Sequence, residues 1–136
     1  MGAESRISHM MFSIPAIKGI EFGAGFEIAD MRGSVANDPM RIENGNIVTS
    51  KNNNGGINGG ITNGMPIIFR TAIKPTPTIF KPQKTVDFVN MCETVLEPKG
   101  RHDPSIVHRA RVVQDAASAI VMCDALSERF GTDWLK

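Results

Sequence analysis

The sequence predicts an α+β fold with several strands, one long buried C-terminal helix and extended loops between them. Three observations carry that reading. Residues Met65 to Lys74 alternate as a strand should: Ile67, Phe69, Thr71 and Ile73 share one face, and Ile68, Arg70, Ala72 and Lys74 the other. From Ile106 onward, Ile106, Ala110, Val113, Ala117 and Ile120 form one helical stripe. Val112, Ala116, Ala119, Cys123 and Leu126 form a neighbouring one, so the predicted helix presents a wide apolar surface to a core. Nowhere does a strand–helix–strand rhythm support a dinucleotide-binding sheet.

In chain order, Ala3 to Phe12 reads as a short helix with Ile7, Met10 and Met11 on one side. Ile14 to Gly23 reads as a strand entered through a Pro15 turn, and Phe26 to Met31 as a second short strand. Gly33 to Gly45 is polar and turn-rich, a surface loop, and Ile47–Thr49 a brief strand. Residues 52–64 hold five glycines and five asparagines, so this backbone can take positive φ and approach another group closely. It is either a floppy low-complexity tract or an ordered contact loop, and Ile57 and Ile61 argue for packing. Pro75 and Pro77 end the strand that follows. Val86, Phe88 and Val89 are expected in the core. Asp103 stands where a helix cap belongs, with Pro104 at the first helical position. Gly131 closes the helix.

The chain has 136 residues, 41% hydrophobic and 21% charged, which suits one modest globular domain over 1–136. The formal net charge of +1 lacks the basic excess of a nucleic-acid binder. Apolar runs fall short of the ~20 residues of a membrane helix. Cys92 and Cys123 form no CxxC pair and read as reduced, half-buried thiols of a cytoplasmic protein. His9, His102 and His108 have neither metal-helix spacing nor a nucleophile elbow beside them, so no metal site is expected.

Three segments could carry chemistry. The Gly/Asn tract lacks the Gly-Lys-Ser/Thr ending of a phosphate loop and precedes a strand instead of following one, so both common nucleotide motifs fail. Its amide-rich backbone could still lie against a flat or anionic ligand. Lys74-Pro75-Thr76-Pro77-Thr78 offers an ammonium and two hydroxyls on a stiffened loop, or is only a rigid turn. Arg101 beside Asp103 at a helix start makes an anion site with an adjacent proton acceptor, or merely a cap.

Four stretches go further. Ser13–Gly23, Asn53–Gly64, Lys74–Thr78 and Gly100–Pro104 resemble characteristic segments of chorismate synthases, in that family's order and spacing, and together span almost everything from about Ser5 onward. The resemblance implies a carboxyl-terminal portion of a β-α-β sandwich with antiparallel strands. It also implies a cytoplasmic homotetrameric parent, with neither nucleic acid nor membrane as partner. The implied reaction is the 1,4-anti elimination of phosphate and a ring proton from 5-enolpyruvylshikimate 3-phosphate, with reduced FMN required and no net redox change. Carried over, Asp103 matches the family's flavin-side catalytic aspartate. Pro15, Ala16, Gly59, Lys74, Pro75, Thr76, Pro77, Thr78 and Arg101 match FMN contacts, and Arg101 and His102 lie near substrate. Pro15 departs from relatives carrying Asn there, and Asp115 stands where the family has Glu. The family's two catalytic histidines and its arginine cluster precede this region, so the piece alone is expected to be inactive. The alternative is a non-catalytic, self-associating folding module.

Overall fold

A computed structural model of the chain describes residues 1–101 and 103–133. Helix α1 (Ala3–Phe12) sends Ile7 and Met11 inward one turn apart, as the sequence predicts, and Met11 has no exposed surface at all. A tight turn, with Ser13 and Ile14 amides donating to Met10 and Met11 carbonyls, reverses the chain into strand β1 (Ile17–Phe22). β1 pairs antiparallel with β6 (Phe69–Ile73), from Ile17 opposite Ile73 at one end to Phe22 opposite Phe69 at the other. The alternation read in residues 65–74 holds: odd positions are half-buried and even ones exposed.

α1 and the long helix α3 (Val107–Phe130) pack together over this ribbon. The core is small, with Ile7, Met11, Ile14, Ile17, Ile57, Ala117 and Val121 at its centre. Ile20, Phe22, Ile67, Phe69 and Ile73 close its margin. Thr71 of β6 donates its hydroxyl to Gln114 Oε1 of α3 at 2.6 Å, and Arg6 of α1 forms ion pairs with Asp124 and Glu128 of α3.

Three more antiparallel two-stranded ribbons complete the fold: β2 (Met40–Glu43) with β3 (Asn46–Thr49), β4 (Ile57–Asn58) with β5 (Ile61–Thr62), and β7 (Gln83–Asp87) with β8 (Cys92–Leu96). The strands are thus antiparallel throughout, in a mixed fold with a C-terminal helix.

Several local expectations need correction. Phe26–Met31 is not a strand; Gly25–Asp30 forms a 3-10 helix because Glu21 Oε2 takes the Phe26 amide at 3.1 Å and curls the chain back. The stretch Gly33–Gly45 is not all loop, since it holds a helical turn α2 (Gly33–Ala36) and strand β2. Asp103 does not cap α3; the helix starts later, at Val107, whose amide is taken by Ser105 Oγ at 3.3 Å.

The C-terminal helix is present, but its wide apolar surface is not buried as expected. Only Ala110, Ala117 and Val121 are inside, while Val112, Val113, Ile120 and Leu126 remain exposed. The β1–β6 ribbon and α1 are too narrow to cover more than one seam of a 24-residue helix. Val86, Phe88 and Val89 are likewise exposed, at 49%, 83% and 89%, because among the described residues β7 and β8 pack chiefly on each other. Cys92 and Cys123 are free and exposed instead of half-buried. No helix among the described residues is long and apolar enough to cross a membrane.

Candidate functional site

The Gly/Asn tract is an ordered structure, and each asparagine in its first turn has a separate task. Asn52 Oδ1 accepts the Gly56 amide at 2.6 Å, and its Nδ2 donates to the Pro66 carbonyl at 2.8 Å. Asn53 Nδ2 donates to the Val35 and Ala36 carbonyls, both at 3.1 Å. The Asn53 and Asn54 amides and Asn54 Nδ2 all donate to the buried carboxylate of Asp38, at 2.9, 2.8 and 3.0 Å. The turn then meets the end of β1 so closely that a Cβ on Gly23 would lie 2.0 Å from the Asn53 oxygen.

From this base the β4–β5 hairpin projects, anchored by buried Ile57. Its two-residue tip is Gly59–Gly60, with φ of 58° and 82°, as a type I′ hairpin turn requires. The Gly60 carbonyl accepts the Ala3 amide at 2.8 Å, which ties the tip to the amino end of α1. A Cβ built on Gly59 would meet nothing within 4 Å, so this backbone is open to a flat ligand.

The second segment leaves β6 at the other end of the ribbon. The Lys74 amide donates to the Ala16 carbonyl at 2.7 Å, so Pro15, Ala16 and Lys74 are brought together. Ala16 has φ of 72°, a conformation alanine adopts only under constraint. The Lys74 side chain is in no ion pair among the described residues. Thr76 Oγ1 is buried and has no hydrogen-bond partner among them. Pro75, Pro77 and Thr78 are exposed.

The third segment is open. Arg101 is exposed, and Asp103 Oδ2 accepts from Arg109 Nη1 at 3.0 Å, linking the segment to the first turn of α3. His102 lies outside the described residues.

The base of the Gly59 hairpin is bonded at the Phe22–Phe69 end of the β1–β6 ribbon, through Ala24 and Ile68, while Lys74 leaves the Ile17–Ile73 end, and these two ends are about 15 Å apart by the length of a five-residue strand. None of five clefts on the described surface is lined by Gly59, Lys74, Arg101 or Asp103. One of them, about 530 Å³, is an open hollow on the β7–β8 ribbon, bordered by Lys84, Val86, Glu93 and Val95. It is a bare hairpin face rather than a site. A cleft of about 380 Å³ beside β1 and β6 is bordered by Glu21, Phe26 and Arg70. There Arg70 Nε donates to Glu21 Oε1 at 2.8 Å, so the predicted cationic strand face is half neutralised. The Phe26 amide above all, with Arg70 assisting, holds the Glu21 carboxyl below its usual value.

Sequence reasoning missed Asp38. An Asp before a proline at the end of a polar stretch reads as a turn, and nothing local reveals that three donors 15 residues away converge on it.

Comparison with known proteins gives one consistent answer. The chorismate synthase family model matches residues 2–127. Chorismate synthase of Pyrococcus abyssi is 52% identical over 123 residues, covering 90% of this chain and 35% of that protein. The Dehalococcoides mccartyi enzyme is 50% identical over 121 residues, covering 89% and 33%. A solved structure described as the crystal structure of chorismate synthase superposes with a TM-score of 0.73 at 39% identity, covering 95% of this chain and 31% of that one. The chain thus spans about a third of the length of the curated relatives it matches. On the extent of the family match and the shared fold, the chain belongs to the chorismate synthase family.

Proposed function

We propose that this chain is the carboxyl-terminal part of a chorismate synthase that converts 5-enolpyruvylshikimate 3-phosphate to chorismate and phosphate. The carrying observation is 52% identity to a chorismate synthase across 90% of the chain. Reduced FMN, when bound, supplies a transient electron source and a nitrogen able to receive the ring proton. The residues present fit such a group. The Gly59 backbone is open, the Lys74 ammonium has no anionic partner among the described residues, and the buried Thr76 hydroxyl lacks one as well.

In this reading the Gly59 backbone and the donors Lys74, Thr76 and Thr78 would be among the groups that hold the cofactor. Pro75 and Pro77 hold those donors at fixed φ, which lowers the entropy lost on binding. Pro15 and Ala16, joined to Lys74 through its amide, back the same turn. Arg101 attracts the anionic substrate, with His102, the next residue in sequence, assigned the same role. Asp103, oriented by Arg109, holds or passes the proton at its carboxylate oxygen. Because the Gly59 hairpin and Lys74 are rooted at opposite ends of one ribbon, a complete site draws on further polypeptide, from the rest of the parent chain and from neighbouring subunits of a cytoplasmic homotetramer. The chain by itself is expected to be catalytically silent, since absent acid–base groups typically supply ~10²–10⁴ in rate each.

A chimera tests this. The corresponding third of the Pyrococcus abyssi enzyme is replaced by residues 2–127, and phosphate release is followed anaerobically with reduced FMN. Activity within about tenfold of the parent is expected, and a further loss of about 10² or more on Asp103→Ala. A folded chimera without activity refutes the assignment. Phosphate release by the unaided chain refutes its predicted silence.

A second reading, a non-catalytic self-associating module, is favoured by the uncovered apolar face of α3. Light scattering separates the two, because a clean monomer at micromolar concentration removes the second.

A further inference from the structure

We infer that Asp38 is a positioning residue that presents the Gly59 hairpin to its ligand; the ligand part of this inference rests on the FMN reading above. Asp38 is buried, and among the described residues its carboxylate has no cationic partner. A buried carboxylate is retained only where donors replace its lost water. Here three N–H groups do so, two of them successive backbone amides, which together form an anion-holding concavity. The ligand held in that concavity is the protein's own side chain.

What this fixes is the start of the Gly/Asn tract. With the Asn53 and Asn54 amides turned toward Asp38, the Asn53 carbonyl faces the other way and accepts the Ala24 amide at 2.8 Å. Gly55 then sits against Gly23, and its carbonyl accepts the Ile68 amide at 3.1 Å. Two residues later β4 begins, and two residues after that comes the open Gly59 backbone. The hairpin is only two residue pairs long and cannot hold its own direction, so its base determines where its tip points. Among the described residues Asp38 bonds to the base of the tract and to neither its tip nor the core cluster, which makes it a device for aiming and not a catalytic residue.

The test uses the full chain and the variants Asp38→Asn and Asp38→Glu. In Asp38→Asn an NH₂ group replaces one acceptor and must face N–H donors. Hydrogen exchange across residues 51–64 is expected to accelerate about tenfold or more, with residues 7–22 and 110–121 unchanged. FMN affinity, read by flavin fluorescence, is expected to fall about tenfold without a change in near-core protection. Asp38→Glu keeps the charge and should recover protection to within about threefold. Unchanged exchange in Asp38→Asn overturns the inference, as does acceleration spread evenly over the whole chain, the mark of a merely stabilising residue. If the unsubstituted chain binds no FMN, the flavin reading fails for this chain, while the exchange data still decide the role of Asp38. Should Asp38→Asn fail to fold, the Glu variant alone decides: protection of 51–64 within about threefold, with any loosening confined to that segment, supports aiming, and a larger loss or loss of protection everywhere refutes it.

Discussion

Replacing Gly23 with alanine puts a methyl carbon 2.0 Å from the Asn53 oxygen and 2.4 Å from the Gly55 nitrogen, both backbone atoms with no rotamer to change. The strand end and the Gly/Asn turn must therefore part. Three backbone hydrogen bonds cross that joint: Gly23 amide to Ile68 carbonyl, Ala24 amide to Asn53 carbonyl, and Ile68 amide to Gly55 carbonyl. At about 1 kcal/mol each they sum to about 3 kcal/mol. Alanine at the positive φ of 57° adds about 1–2 kcal/mol. Gly45 is the control, because its φ is 77° but a Cβ there meets nothing within 4 Å. Gly45→Ala should cost only the conformational part, about 1–2 kcal/mol. Any stiffening of the unfolded chain is common to both and cancels in the difference. With a urea m-value of about 1.5 kcal/mol/M, the Gly23 variant should unfold about 2 M earlier than the Gly45 variant. Equal midpoints would show that the close approach carries no energy, and the account of the joint would be wrong.

Met11→Ala should destabilise by about 2–5 kcal/mol in denaturant titration, since Met11 is the one large side chain with no exposed surface among the described residues. Arg6→Ala should cost no more than about 1 kcal/mol and respond to salt, because its acidic partners are mostly exposed. Glu21 has a folded pKa held below 4.5 by the Phe26 amide first and Arg70 after it, and Asp87 one held below 3.8 by Asn90 and the Val89 amide. A depressed pKa favours the folded state above the unfolded value and ceases to do so as pH falls through the folded value. Stability should therefore decline below about pH 4.5, and Glu21→Gln should show a shallower decline in chemical denaturation from pH 5 to 3.

What the sequence revealed, and what it did not, follows from the range of each interaction. α1, β1, β6 and α3 were legible because their periodicity is local: Ile7 and Met11, or the alternation around Phe69, need no distant information. The strand assigned to Phe26–Met31 failed because Glu21, five residues back, captures the Phe26 amide. Burial of α3 and of Val86, Phe88 and Val89 was misjudged for a related reason. An apolar stripe signals that a surface wants cover, but α1 and the β1–β6 ribbon cover only one seam of α3, and the β7–β8 ribbon leaves its apolar side chains exposed. Among the proposed ligand contacts, Gly59, Lys74, Arg101 and Asp103 were named through resemblance. Asp38 carries no such mark, and its role is visible only once Asn53 and Asn54 are seen folded onto it.

The bond from the Ala3 amide to the Gly60 carbonyl has a practical side. Gly2 and Gly60 run so near one another that a Cβ on either would come within 3.0 Å of the other's Cα. Polypeptide ahead of Gly2, whether natural or a purification handle, therefore emerges beside the Gly59 tip. Titrations of flavin analogues against preparations with and without a leader at that end should differ. A screen for small molecules acting at the hairpin is best run with the polypeptide at that end kept the same throughout.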